Sequence, residues 1–376
     1  MKKIAALFGF VSLLLLTSQC TPDHPIQGVW IPKASYDYGN TLYDFQANGS
    51  LKIHDVTITI GDSIKPWKVV NDSTLTIGDK LYTYKMNDPN HLEFVEQDDF
   101  AQHSMVKLRR PQKTNITKSK EEIEQILLSK IWSIQDTSIV YWETHLEYFD
   151  NQTMVYRYQL LNKDFVDSEP IDSLDNLHLE SWKIDHYKDY YFLHFYRNTL
   201  LGNGGSLSFH QVLDIENETY TLSDSRAQPY RFTYISKLYT PAPNQEKAIL
   251  GKWQSWNSKD KRYRKYPDQY QIKKGYTKLY EGPLYMNIEP KSIQFALDTL
   301  RPDKATWQIG KDGRTLLLEY QIDEPDRVGI HVDYADIVDV SENTMKLRLY
   351  YNVFFAASEK PRRIYVNQLQ EFQKME

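Results

Sequence analysis

Apolar and polar residues alternate along much of this chain at a period of two, the signature of strands with one buried face. The first stretch is the clearest. Leu42-Tyr43-Asp44-Phe45 and Leu51-Lys52-Ile53 flank Ala47-Asn48-Gly49-Ser50, and Asn-Gly between two such runs predicts a tight hairpin. Val56, Ile58 and Ile60 then alternate on shifted parity, which predicts a bulge or bend near His54-Asp55. Counting onward gives about eight short strands in about 85 residues. Consecutive antiparallel strands of this length close naturally into an up-and-down barrel, which leaves no exposed edge.

The pattern recurs twice. Ile26-Gln27-Gly28-Val29-Trp30, Leu128-Ser129-Lys130-Ile131-Trp132 and Leu250-Gly251-Lys252-Trp253 open three similar segments. A second tryptophan follows in each, as Trp67-Lys68-Val69, Trp182-Lys183-Ile184 and Trp307-Gln308-Ile309. Each copy closes with two strand-like runs. They are His91–Val95 and Met105–Leu108, then Thr219–Leu222 and Tyr230–Ile235, then Met345–Tyr350 and Arg363–Val366. The two tryptophans stand farther apart in later copies, so those copies carry longer loops, which cost little stability.

Helical spacing is confined to the segments between copies. Ser119-Lys120-Glu121-Glu122 is a capping box, followed by Ile123, Ile126 and Leu127 on one helical face. Pro241-Ala242-Pro243 breaks the chain, and Gln245 to Leu250 has room for one or two helical turns. The expected fold is all-β: three tandem small antiparallel barrels joined by short helical connectors. The expected division is a signal at 1–19, a tether at 20–25, and barrels at 26–111, 119–238 and 245–370.

Composition narrows the function. With 41% hydrophobic and 14% aromatic residues the chain is a folded protein, and tyrosine outnumbers glycine and proline, which favours strands. A net charge of -5 argues against a basic nucleic-acid binder. Met1-Lys2-Lys3 and the apolar run Ile4 to Leu16 form a secretory signal, shorter than a membrane span. Cys20, the only cysteine, stands where that signal ends. The placement resembles the cleavage site of bacterial lipoproteins, although Gln19 stands where a small residue is usual. That resemblance implies that Cys20 is lipidated and anchors the protein to a membrane. One cysteine forms no internal disulfide, so the mature fold relies on its core.

Gly28-Val29-Trp30 and Gly251-Lys252-Trp253 resemble the Gly-x-Trp that opens the first strand of lipocalins, and each copy resembles the lipocalin-like domains of Bacteroidota lipoproteins. The middle copy departs from the motif, with Lys130 in place of glycine. The resemblance implies that Trp30, Trp132 and Trp253 close the barrel floors, each under a basic residue. Arg109 or Arg110, Arg362 or Arg363, and Lys237 are the candidates for that contact. Trp67, Trp182 and Trp307 are the expected repeat core.

Catalytic patterns are thin. There is no Gly-x-Ser-x-Gly, and Gly202-Asn203-Gly204-Gly205-Ser206 reads as a turn between strands. His145, His178, His186, His194 and His210 lack the two-residue spacing of strand metal ligands. Asp98-Asp99 and Asp323-Glu324 are adjacent pairs and do not face each other across a cleft. The stretch from Trp256 to Lys274 mixes basic and aromatic residues. A solvated hairpin with inward tyrosines accounts for it. Read as functional, Trp256, Arg262, Tyr263, Arg264, Lys265 and Tyr266 form a ligand or partner surface. The expected protein is an outer-membrane lipoprotein, facing the periplasm or the surface. It is non-catalytic, without cofactor, metal or nucleic acid, and binds a small apolar ligand, a glycan or an envelope protein. The alternatives are an assembly component docked on another outer-membrane protein and a glycan-acting enzyme.

Overall fold

Strands form wherever the period-two pattern runs, because each buries one row of side chains and satisfies its backbone against a neighbour. The computed structural model describes residues 24–33, 41–55, 62–97, 105–135, 142–160, 176–197, 206–223, 227–235, 245–255, 284–297, 303–324, 327–355 and 362–376. Cys20, the run Val56–Ile60, Asp98-Asp99, Lys237 and the surface from Trp256 to Tyr266 lie outside the described residues.

The first set of strands is β1 (Gly28–Pro32), β2 (Thr41–Phe45), β3 (Ser50–Asp55), β4 (Ser63–Asn71), β5 (Thr74–Ile77), β6 (Lys80–Asp88), β7 (His91–Glu96) and β8 (Val106–Arg109). Each pairs with the next and β8 returns to β1, closing an antiparallel barrel. The middle set is β9 (Ile131–Gln135), β10 (Trp142–Tyr148), β11 (Thr153–Leu160), β12 (Asn176–Tyr187), β13 (Tyr190–Arg197), β14 (Ser206–Ile215), β15 (Thr219–Ser223) and β16 (Pro229–Tyr234). It forms a third antiparallel sheet, in which β9, β10 and β11 pair in order and β12 to β16 pair in order. The last set is β17 (Gly251–Ser255), β18 (Leu284–Glu289), β19 (Ser292–Leu297), β20 (Asp303–Ile309), β21 (Thr315–Glu324), β22 (Arg327–Val340), β23 (Thr344–Phe355) and β24 (Arg362–Lys374). It closes as a second barrel, with β24 against β17.

Among the described residues two helices, α1 (Lys120–Leu128) and α2 (Gln245–Ala248), precede β9 and β17. The capping box holds: Ser119 N–H donates to Glu122 Oε2 at 2.6 Å, and Glu122 N–H donates to Ser119 Oγ at 3.2 Å. The Asn-Gly turn also holds. Gly49 sits at φ +80°, and Gln46 N–H donates to the Ser50 carbonyl. β2 and β3 pair in regular register through His54 and Asp55, and the run Val56–Ile60, on which the expected bulge or bend near them rests, lies outside the described residues.

The chain divides into two compact units. One comprises the described residues of Met1–Ile126, Ile134–Ser138 and Glu180–Thr233; the other those of Leu127–Ser133, Ile139–Leu179 and Tyr234–Glu376. Each therefore contains one closed barrel and part of the middle sheet.

The three opening tryptophans occupy the first strand of each set and are fully buried. Each indole N–H donates back to a carbonyl just upstream: Trp30 to Ile26 at 2.6 Å, Trp132 to Leu127 at 3.1 Å and Trp253 to Ile249 at 2.7 Å. The acceptor residues are themselves buried, so the segment before each first strand folds under its own set of strands as an apolar plug. The second tryptophans sit in β4, β12 and β20. Trp67 donates to the Gln46 carbonyl and Trp307 to that of Glu289, so both tie the fourth strand to the end of the second.

Each opening indole carries a cation on its face. The Arg110 guanidinium lies 3.8 Å from the Trp30 ring centroid, Lys374 Nζ 5.2 Å from that of Trp253, and Lys130 Nζ 6.0 Å from that of Trp132. Arg110 is among the residues expected there, but Arg109 instead donates to Ser223 Oγ. The register corrects the expectation of Arg362 or Arg363: they lie at the start of β24, opposite Phe355 and Phe354, and the residue in register with Trp253 is Lys374. In the middle set Lys237 lies outside the described residues, and the cation described on the indole is Lys130. This explains the departure from Gly-x-Trp. Gly28 and Gly251, at φ +107° and +128°, leave room for a cation from the end of the chain segment. A Cβ on Gly28 would stand 2.6 Å from Arg110 Nη1, and one on Gly251 2.8 Å from Lys374 Cε. Where the glycine is missing, the replacing residue supplies the cation itself.

A further feature repeats. The sixth strand of every set carries a bulge just before an aspartate, at Met86/Asp88, Val212/Asp214 and Ile337/Asp339. The extra residue bends the strand and re-aims the side chains beyond it.

Gly28→Ala should lower the unfolding free energy by about 1–3 kcal/mol, because the substitution combines a left-handed φ with a clash against Arg110. Urea denaturation checks this; an unchanged midpoint would show that neither the φ nor the contact with Arg110 requires glycine.

Candidate functional site

Among the described residues, the interiors of the two closed barrels are packed with side chains. In the first barrel Trp30, Phe45, Leu51, Trp67, Leu75, Tyr84, Leu92 and Phe94 belong to one buried cluster. In the last, Trp253, Met286, Ile293, Leu316, Leu318, Leu347 and Phe372 do the same. Eight-stranded barrels hold side chains or one small ligand, and the described interior positions of both clusters carry packed side chains.

Open space lies at the Trp30 end of the first barrel instead. A cleft of about 670 Å³ is bounded by the turn before β1 (His24, Pro25, Gln27), Gly28, the end of β2 with its turn (Asp44 to Ala47), Arg110, and Lys188 at the tip of the β12–β13 hairpin. All of these belong to one unit. Asp44 follows from the strand period: Tyr43 faces the interior with Trp30, so Asp44 faces outward.

Asp44 is nonetheless fully buried. Its Oδ2 receives the Tyr187 hydroxyl at 3.0 Å, Lys188 Nζ at 2.7 Å and Gln46 Nε2 at 3.3 Å. Its Oδ1 accepts no hydrogen bond among the described residues. Lys188 reaches Asp44 from a left-handed backbone, φ +52°, unusual for a side chain with a Cβ. Burial, then the hydrogen bond to Asp44, pushes the Tyr187 hydroxyl above the usual phenol range, so it remains a donor.

Arg110 supplies the other charge. Its Nη2 donates to the Pro25 carbonyl at 2.6 Å and its Nη1 to Val29 at 3.4 Å. Burial lowers its pKa from the ordinary guanidinium value. Among the described residues no carboxylate forms an ion pair with it. A half-buried cation held by backbone carbonyls and an indole face suits an incoming anion.

The other unit has a related but closed arrangement. Glu147, in β10, is buried, and its Oε1 accepts from the Lys311 N–H, with Lys311 Nζ 3.6 Å away. A cavity of only about 10 Å³ remains among Ile131, His145, Glu147, Val155, Asp312 and Thr315. Burial, with the Asp312 charge adding to it, pushes the Glu147 carboxyl up to about 7.

His194 is buried with Nε2 3.3 Å from Asp185 Oδ2, and burial holds its pKa below the imidazole norm. Its ring lies against Phe209. No group of three His, Cys, Asp or Glu side chains able to hold a metal ion occurs among the described residues.

Of the sequence-derived site residues that are described, only Gly28 borders the cleft, with Trp30 beneath Arg110. Trp132, Trp253, Gly251, Trp67, Trp182 and Trp307 take up structural positions in their strands. Asp44, Lys188, Glu147 and Lys311 carried no motif, and an outward carboxylate on a strand reads as solvated. No family model and no curated protein matches the chain.

The raised Glu147 pKa fixes the sign of a pH effect. Its ordinary value is 4.5. The folded state therefore holds a proton that the unfolded state releases between 4.5 and about 7, and stability declines as pH rises through that window. Glu147→Gln should remove this decline. The check is the difference in thermal midpoint between wild type and variant across the window; a constant difference would refute it.

Proposed function

We propose that the protein is a lipid-anchored lipoprotein of the outer membrane, whose three lipocalin-like barrels form a non-catalytic binding or presentation module. The anchor reading rests on Cys20 at the end of the export signal. The three-barrel reading is supported by a seam common to all sets. Lys33 N–H donates to the Lys107 carbonyl, Met375 N–H to Lys252, and Ile235 N–H to Ile131, each joining the segment of the last strand to that of the first.

The observation that carries the binding reading is the contrast between filled interiors and the open cleft beside Arg110. The occupant is then a small polar molecule with an anionic group rather than an apolar ligand held inside a barrel. An acidic saccharide fits, since its carboxylate suits Arg110 and its hydroxyls suit a polar rim. The filled interiors also favour the second reading, an assembly component whose barrels serve as outer surfaces.

Two measurements test this. Cys20→Ser should move the protein from the membrane to the soluble fraction and abolish incorporation of labelled fatty acid; retention with label would refute the anchor. Calorimetric titration with glucuronate and glucose should show binding of the acid alone, weakened about tenfold or more by Arg110→Met. Equal binding of both sugars, or of neither, would contradict the assignment.

A further inference from the structure

The two units hold the same contact. In one, Asp44 on the second strand of the first set receives Lys188 from the tip of the β12–β13 hairpin. In the other, Glu147 on the second strand of the middle set receives Lys311 from the β20–β21 turn. The register makes these positions equivalent. Asp44 pairs with Val29, the residue before Trp30, and Glu147 pairs with Ile131, the residue before Trp132. Both hairpins join the fourth and fifth strands of their sets.

The surroundings correspond as well. Val29, Ile31 and Leu42 pack against Phe192 and Phe209 in one unit, and Phe149 and Val155 against Leu317 and Tyr334 in the other. Phe209 and Tyr334 occupy the same place, each opposite the residue just before the partner of the second tryptophan. Two residues further along the sixth strand, on the same face, Gln211 and Asp336 are both fully buried. We propose that Asp44–Lys188 and Glu147–Lys311 are two instances of one docking surface, by which one copy of the fold receives the next, and that the chain closes this surface at both ends.

The ends differ where the proposal requires. In the last set the residue paired with Lys252, before Trp253, is Asn287, not a carboxylate. Lys252 itself stands where the other sets have Val29 and Ile131, and it is exposed. Glu289, two positions on, is turned to its own hairpin by Asn287 Nδ2 and Ser292 Oγ. In the first set the β4–β5 tip carries Asp72 in place of a lysine. The face beside it offers Thr74, Thr76 and Thr83, and Leu81, in the place of Phe209, is 40% exposed. A surface that joins unlike faces would otherwise continue from chain to chain, and end faces that lack the carboxylate or the lysine stop that growth.

The test uses the full chain at about pH 8, where the Glu147 carboxyl is charged. Lys188→Met should lower the thermal midpoint by about 2–8 °C, and by less than half as much in an Asp44→Asn background. Lys311→Met should behave the same way with and without Glu147→Gln. Lys188→Arg and Lys311→Arg keep the charge and should keep most of the midpoint, which covers the case where a truncated variant fails to fold. Wild type should sediment as a monomer over its accessible concentration range. Additive effects at either joint would overturn the proposal. So would an arginine variant that falls as far as the methionine one, or self-association that Lys252→Glu abolishes.

Discussion

A buried indole has one polar atom, and the fold is arranged to satisfy it at the start of each copy. The Trp30, Trp132 and Trp253 N–H groups each take a carbonyl four or five residues upstream. That bond obliges the preceding segment to turn under the sheet, bringing Ile26, Leu127 and Ile249 into the core. It also turns each indole so that one face is left for a cation. Truncating such a residue costs about 3–5 kcal/mol, so the contact weighs heavily against a marginal total. The glycine of the opening motif is a consequence of this arrangement. It is needed where the cation arrives from the last strand, and dispensable where Lys130 brings its own.

The buried polar residues follow a second rule. Several of them gather where a closed barrel meets part of the middle sheet. Asp44, Arg109, Gln211 and Ser223 do so in one unit, with Gln112 N–H donating to Gln211 Oε1 and Gln211 Nε2 to the Gln112 carbonyl. Glu147, Asp312 and Thr315 do so in the other. Apolar interiors supply stability without direction, whereas buried charges demand particular partners. The interiors thus set the shape of each set of strands, and the carboxylate–lysine contacts set which faces meet.

Much of the local structure was legible in the sequence for simple reasons. The Asn48-Gly49 turn and the Ser119–Glu122 box are short-range chemistry, independent of what packs on them. The two tryptophans fall on the first and fourth strands because period and spacing place them there. Long-range features were not legible. Lys374 covers Trp253 because β24 outruns its apolar pattern, and no local signal marks that extension. Asp214 and Asp339 at the bulges look like ordinary strand carboxylates. Asp44 and Glu147 sit on outward positions, where a charge normally means solvent, and only the opposing hairpins show that they are covered.

Indole hydrogen exchange, followed by NMR on the intact chain, reads the constraint on the opening tryptophans at its own atoms. The Trp30, Trp132 and Trp253 indole protons should be the slowest of the eight, exchanging only on unfolding of their own set of strands. Fast exchange at any of the three, matching an exposed indole, would contradict the dependence of the fold on that bond.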